Sequence, residues 1–355
     1  MHSTLLTLGL LALYFLSYRL YHRWVAHKIF GASNQELTPA HTHRDNIDYV
    51  PTHKHVLWGH HFSSIAGAAP IVGPAIAVIW GWLPALAWVI LGSILMGAVH
   101  DGGTLILSAK RKGKTIADIT GGLINRRARN IFLVMISFLT WTVIAVFALV
   151  IAVLFDQYPQ VVIPINAEII VALAIGYWGY HRKKSLLIPS ILALFILYAL
   201  VPVGIAYPIK LEIWFGLSFL QDLALSLHLP SWLGSPIMLW MYFLLIYSWV
   251  ASVLPVWTLL QPRDFINSHQ LFVGLAAMYV GFFITAPEIV APSFNWHPSG
   301  APSPWPFLFI TIACGAISGF HGLVSSGTTS KQLDKMEDAC AIGCGSMLGE
   351  GLLAL

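Results

Sequence analysis

Charged side chains are scarce in this sequence. Asp, Glu, Lys and Arg make up 10% of its residues, against 57% hydrophobic, where an ordinary soluble domain carries about 25% charge. That balance excludes a soluble globular fold, because apolar runs of about 20 residues recur along the whole length and match the thickness of a bilayer. Cysteine is sparse too, with Cys314, Cys340 and Cys344 alone. The odd count and the missing CxxC pair exclude a disulfide framework, and the three read as small packing residues. No HExxH or DxDxDG string occurs, and neither a nucleophile elbow nor a catalytic carboxylate pair stands out, so no enzyme, metal or organic cofactor is expected. The first twenty residues lack a basic n-region and a small-residue cleavage site, so they are expected to form a retained helix rather than a signal peptide.

What the sequence does contain is a series of spans. They are expected near 5–21, 55–80, 83–108, 131–154, 167–180, 186–207, 237–260, 271–289 and 306–325. Residues 209–230 read as a mixed interfacial segment, and 339–355 as the start of a further span. The basic residues test this assignment, since cytoplasmic loops collect Lys and Arg. With the N-terminus outside, the inside segments 19–54, 109–130, 181–185, 261–268 and 326–338 hold 18 of the 19 basic residues, and Lys210 alone falls elsewhere. Membrane topology therefore accounts for the net charge of +4, and no nucleic-acid partner is expected. Trp58, Trp80, Trp82, Trp232, Trp296 and Trp305 sit near span ends, as interfacial anchors do.

Ionisable groups inside a bilayer are costly and mark function by default. Asp101, beside His100 in the third span, is the clearest acid. An unpaired carboxylate there costs roughly 2.5–3.5 kcal/mol, so it is protonated, paired or wet; a proton relay and a structural pair both satisfy that. Glu350 is similar in kind. His60 and His61 in the second span and His321 in the ninth can handle protons or hydrogen-bond structurally. Adjacent histidines point about 100° apart on a helix, which does not suit one metal ion. Gly67-Ala68-Ala69-Pro70 with Gly73-Pro74 predicts a discontinuous helix, because proline removes a donor and clashes with the preceding turn. Irregular backbone in a membrane persists only where it is buried or lines a cavity. A weaker counterpart is expected at Ser252–Pro255. Gly315xxxGly319 and Gly345xxxGly349 read as close-packing motifs.

The strings DNIDYVPTHKHVLWGHHFSSIAGAAPIVGPAIA, ASVLPVWTLLQPRDF and FLFITIACGAISGFHGLVSSGTT, with the following GSMLGEG, resemble the carbon starvation protein A family. The resemblance runs from about residue 45 to the C-terminus. It implies an all-α integral membrane bundle of the inverted-repeat transporter type, with discontinuous helices. It also implies cation-coupled uptake of peptides or pyruvate across the inner membrane. Members of that family are longer, so the chain is expected to divide into an N-terminal helix and cytoplasmic linker at 1–54 and a transporter core at 55–355 that lacks its C-terminal end.

On these grounds the substrate is expected between the two breaks, near His60, His61, Ser64, Gly67, Ala69, Ser252 and His321, where half-helix N-termini suit a carboxylate. Asp101 and His100 are the expected proton-coupling pair. Gly67, Ser325 and Ser326 are the expected oxygen ligands of a coupling cation, H⁺ or Na⁺. The competing reading is a membrane sensor or scaffold that binds such a nutrient without moving it.

Overall fold

A helix satisfies its own backbone polar groups, which lipid cannot do for it. The computed structural model follows that rule: among the described residues there is no strand, only an isolated bridge between Thr52 and Leu333. The described residues are 3–33, 36–182, 185–211, 213, 222, 226 and 230–355. Lys183, Lys184 and most of the expected interfacial segment lie outside them.

In chain order the helices are α1 (Ser3–Ile29), α2 (Lys54–Ile65), α3 (Ala69–Trp80), α4 (Trp82–Lys110), α5 (Ile116–Leu123), α6 (Arg126–Gln157), α7 (Pro159–Tyr180), α8 (Leu187–Ala206), α9 (Pro236–Ser252) and α10 (Leu260–Thr285). There follow α11 (Pro304–Thr311), α12 (Ala313–Ala316), α13 (Gly319–Val324) and α14 (Gly345–Ala354). Six of these are long and apolar enough to cross a membrane, and α2 with α3 makes a seventh if the bent pair is one span. The chain is thus a multi-pass all-α membrane bundle.

Two expected spans and one expected loop differ from the observed helices. The span at 237–260 ends at Ser252, and residues 253–259 form irregular turns around Pro255, so the break expected at Ser252–Pro255 is present. The loop expected at 261–268 is instead the opening of α10. The span at 306–325 is not continuous: it is divided into α11, α12 and α13, with extended backbone at Ile317 (φ −158°, ψ 113°) and Ser318 (φ −119°, ψ 124°). Gly315 and Gly319 therefore flank a break and do not share one helix face. A β-branched residue between glycines has little helix propensity to oppose such a break.

The helices gather into two compact units. The first comprises residues 1–132 and 267–355. Its core joins α1, α2, α4 and α14 through Tyr14, Leu57, Leu105, Ile106 and Met347, with Met336 and Ile342 from the segment leading into α14. A π-helical stretch, Gly92–Gly97, lies within α4. Its wider turn brings Gly92 and Gly97 both against Ala316, so α12 approaches the α4 backbone. Tyr14 of α1 lies 2.7 Å from the Ser93 hydroxyl beside them. At one end, Lys54 pairs with Asp338 at 2.8 Å and Lys331 with Asp48 at 3.3 Å. The Arg129 guanidinium of α6 donates to Asp118 of α5 at 2.8 Å and, with Thr115, holds this carboxyl below the usual carboxylate range.

The second unit comprises residues 133–266. Its α7 and α8 pack tightly, with Gly204 against the Gln160 carbonyl and Ala172 and Ala193 in the core. Tyr180 stacks on Trp257 at 4.0 Å. Arg263 pairs with Asp264 at 3.0 Å and donates to the Tyr247 hydroxyl at 2.9 Å, so its charge is matched inside the apolar unit.

Candidate functional site

Two broken helices define the centre of the first unit. Between α2 and α3 the axis bends by 45°. Helix α2 stops at Ala66, where φ is −79° and ψ is 70°. The cause is local: in an unbroken helix the Pro70 ring would collide with the Ala66 carbonyl four residues back. Pro70 instead opens α3, where its missing N–H is no loss. The expected break at Gly67–Pro70 is therefore present.

The second break, at Ile317–Ser318, lies beside the first. His61 of α2 reaches Thr329, with Nδ1 and Oγ1 2.8 Å apart. Pro70 lies against Gly315, and Gly73 against the backbone of Thr311 and Ile312. Residue numbers rise along α2–α3 as they fall along the partner, so the two broken helices are antiparallel with their breaks level.

A chain of ionisable groups crosses this centre. His100 Nδ1 lies 2.8 Å from Asp101 Oδ1, and Asp101 Oδ2 lies 2.8 Å from His321 Nδ1. His321 Nε2 lies 3.1 Å from Glu350 Oε2. The Cys314 thiol donates to Glu350 Oε1 at 3.4 Å. Asp101, His321 and Glu350 are each 0% exposed, while the His100 side chain is 36% exposed, so one end of the chain is reachable from outside. Two buried carboxylates sharing one imidazole cannot all ionise without leaving a net charge in a medium that penalises it. The set therefore has a place for an exchangeable proton. Cys314, His321 and Glu350 also offer one ligand atom each within 4.8 Å of one another, a spacing a metal ion accepts.

Packing holds these groups in register. Gly345 and Gly349 sit against Trp58 and Phe62, and Gly351 against Tyr14, so α14 lies flush on α2 and carries Glu350 to His321. Gly345xxxGly349 is thus a close-packing face.

The other expected residues are distributed as follows. His60 and His61 are buried on α2, and His61 Nε2 has no hydrogen-bond partner. Ser64, Gly67 and Ala69 are half-buried at the first break, where the Gly67 N–H donates to the Ile65 carbonyl at 2.9 Å. Ser325 is buried in the π-helical turn that continues α13, and its hydroxyl has no partner. Ser326 is committed elsewhere: it donates to the Gly322 carbonyl at 2.7 Å and accepts from the Ile116 N–H at 3.1 Å, fastening α5. Ser252 belongs to the second unit, where it donates to the Trp249 carbonyl at 2.7 Å. The structure thus gathers His61, His100, Asp101 and His321, and adds Glu350, Cys314 and Thr329. Glu350 stood out in the sequence only as an acid in an apolar stretch, and nothing distinguished Cys314 from a packing residue.

Known proteins resemble this chain along its whole length. A family model described as carbon starvation protein CstA matches residues 2–355. The peptide transporter CstA of Campylobacter jejuni is 34% identical over 99% of this chain and 48% of its own. The peptide transporter CstA of Bacillus subtilis is 32% identical over 100% of this chain and 57% of its own. The pyruvate/proton symporter BtsT of Escherichia coli is 32% identical over 97% of this chain and 47% of its own. The chain spans about half the length of these relatives, and no solved structure matches it. With its two level helix breaks and the ionisable chain between them, this chain belongs to the carbon starvation protein CstA family.

Proposed function

We propose that this chain is the core of a secondary active transporter that takes up peptides or pyruvate across the inner membrane, driven by a cation gradient. The observation that carries the reading is the buried run Asp101–His321–Glu350, which joins α4, α13 and α14 at the level of two helix breaks. Intramembrane ionisable groups at discontinuous helices are where transporters couple ion to substrate. In this reading α2–α3 and α11–α13 are corresponding elements of an inverted repeat. The coupling proton resides on the Asp101 set, entered through His100, while the substrate occupies the break beside Gly67 and Ala69. The relatives' names support both substrates and proton coupling.

Purified chain in proteoliposomes tests this. Labelled pyruvate and a labelled dipeptide are offered with an inward proton gradient, an inward Na⁺ gradient, or none. The expected result is at least a tenfold faster initial uptake of one substrate with the proton gradient. Specific binding without accumulation under any gradient would sink the transport reading in favour of a sensor.

The N-terminus is proposed to face the periplasm, with the 109–130 segment cytoplasmic. Lys114 is exposed in the turn between α4 and α5, so Lys114→Cys reports its side directly. A membrane-impermeant maleimide is expected to label it only after permeabilisation. The native cysteines give little background, since Cys340 and Cys344 are buried and Cys314 is half-buried. Labelling in intact cells reverses the orientation.

A further inference from the structure

Beside the first break, α10 faces α2 and α3 across a cavity of about 390 Å³. Along α10, Asn267, Gln270, Leu271, Gly274, Leu275 and Met278 line it, a stripe with the 3–4 residue spacing of one helix face. Ser63, Ala66, Ile71 and Leu353 complete the lining. We propose that this chamber is the substrate's specificity pocket, holding the uncharged part of the molecule whose ionised end lies at the break. The inference rests on the transporter reading for the word substrate, but not for the existence of the site.

Three features point to a ligand. First, two carboxamides, Asn267 and Gln270 of α10, and the Ser63 hydroxyl of α2 share a lining that is otherwise apolar. Such groups are costly in lipid and orient small molecules in pockets that are mostly hydrocarbon. Second, no side chain lining the cavity carries a formal charge. Carboxamides both donate and accept, so they match amide and keto groups, while Leu271, Leu275 and Met278 match hydrocarbon. A water molecule claims about 30 Å³ in the liquid, so the space exceeds ten waters and admits a ligand of about a dozen heavy atoms. Third, a Cβ built on Gly274 meets no atom within 4 Å. The helix presents open space there rather than a close-packed neighbour, which separates this glycine from Gly73 or Gly349.

Gly274 also supplies the test. Gly274→Leu projects a side chain into the chamber without striking the protein. Gly281, on the same helix, likewise has nothing within 4 Å of a built Cβ but does not line the cavity. Gly281→Leu is thus the matched control. Binding of labelled alanyl-alanine and of labelled pyruvate to the purified chain is measured in detergent. The expected result is a loss of affinity of at least tenfold for Gly274→Leu and for Gln270→Ala, with Gly281→Leu at the parent's value. The larger probe should lose more than the smaller one in Gly274→Leu. Parental affinity in Gly274→Leu overturns the pocket, and so does a parent chain that binds neither probe. Parental affinity in Gly274→Leu together with gradient-driven uptake by the parent removes only the pocket. Pocket-dependent binding without such uptake removes only the transporter reading.

Discussion

Asp101→Asn is expected to lower uphill accumulation at least 100-fold while leaving the protein folded. Asparagine has the volume of aspartate and can still meet His100 and His321, which contact Asp101 at 2.8 Å each. What it removes is the negative charge and the place for a proton. With Asp101 neutral, His321 has only Glu350 as a buried counter-charge, and a cycle of binding and releasing one proton no longer passes through balanced states. A 100-fold effect corresponds to about 2.7 kcal/mol, of the order expected when one member of a buried charged set is changed. Energy-driven uptake and equilibrium exchange of labelled substrate should be compared in the same proteoliposomes. Exchange needs no net proton movement, so it should persist where uphill uptake fails. Parental uptake driven by a pH gradient would remove Asp101 from coupling. Loss of both activities with a normal elution profile would assign it a structural role.

The second large effect is at Gly73, where the two broken helices touch. A Cβ built there collides with the Thr311 carbonyl and crowds Ile312. Both are backbone, so rotation of a side chain offers no relief. Gly73→Leu is therefore expected to prevent stable folding. Gly73→Ala is expected to destabilise by about 1–3 kcal/mol, the usual cost of overfilling a packed site. The sign is diagnostic, because helix propensity alone predicts a gain of about 0.8–1.0 kcal/mol for alanine over glycine in a helix interior. Gly281→Ala, in open space, should show the ordinary surface response within about 0.5 kcal/mol. Thermal unfolding in detergent, followed by tryptophan fluorescence, measures all three. A Gly73→Ala variant that melts with or above the parent would mean that the breaks do not meet at this point.

Much of this architecture is legible from composition. Runs of apolar residues long enough for a bilayer, with only 10% charge, leave no soluble alternative. Pro70 announces the first break because its clash with Ala66 is a matter of covalent geometry, independent of anything far along the chain. Asp101 and His321 stand out as ionisable groups in spans, since lipid penalises them wherever they are placed. The second break was not legible. Ile317 and Ser318 carry no proline, and Gly315 and Gly319 at a four-residue spacing read as one packing face. Only the fold separates them, by seating α12 against Gly92 and Gly97 of α4. Ser326 likewise read as a possible cation ligand, and its bond to the Ile116 N–H belongs to a segment 210 residues away.

By itself the sequence determined that the chain crosses a membrane several times as helices, that α2 and α3 are separate, and which few ionisable groups bear the cost of burial. Each follows from a local cause: lipid cannot bond a backbone, proline cannot continue a helix, and a charge in hydrocarbon is costly. Only the tertiary structure decided which of those groups act together. Asp101 and His321 are 220 residues apart in the chain. Their meeting depends on glycine faces that let α4, α12 and α14 approach to backbone contact, and steric fit between distant segments leaves no mark on either segment alone.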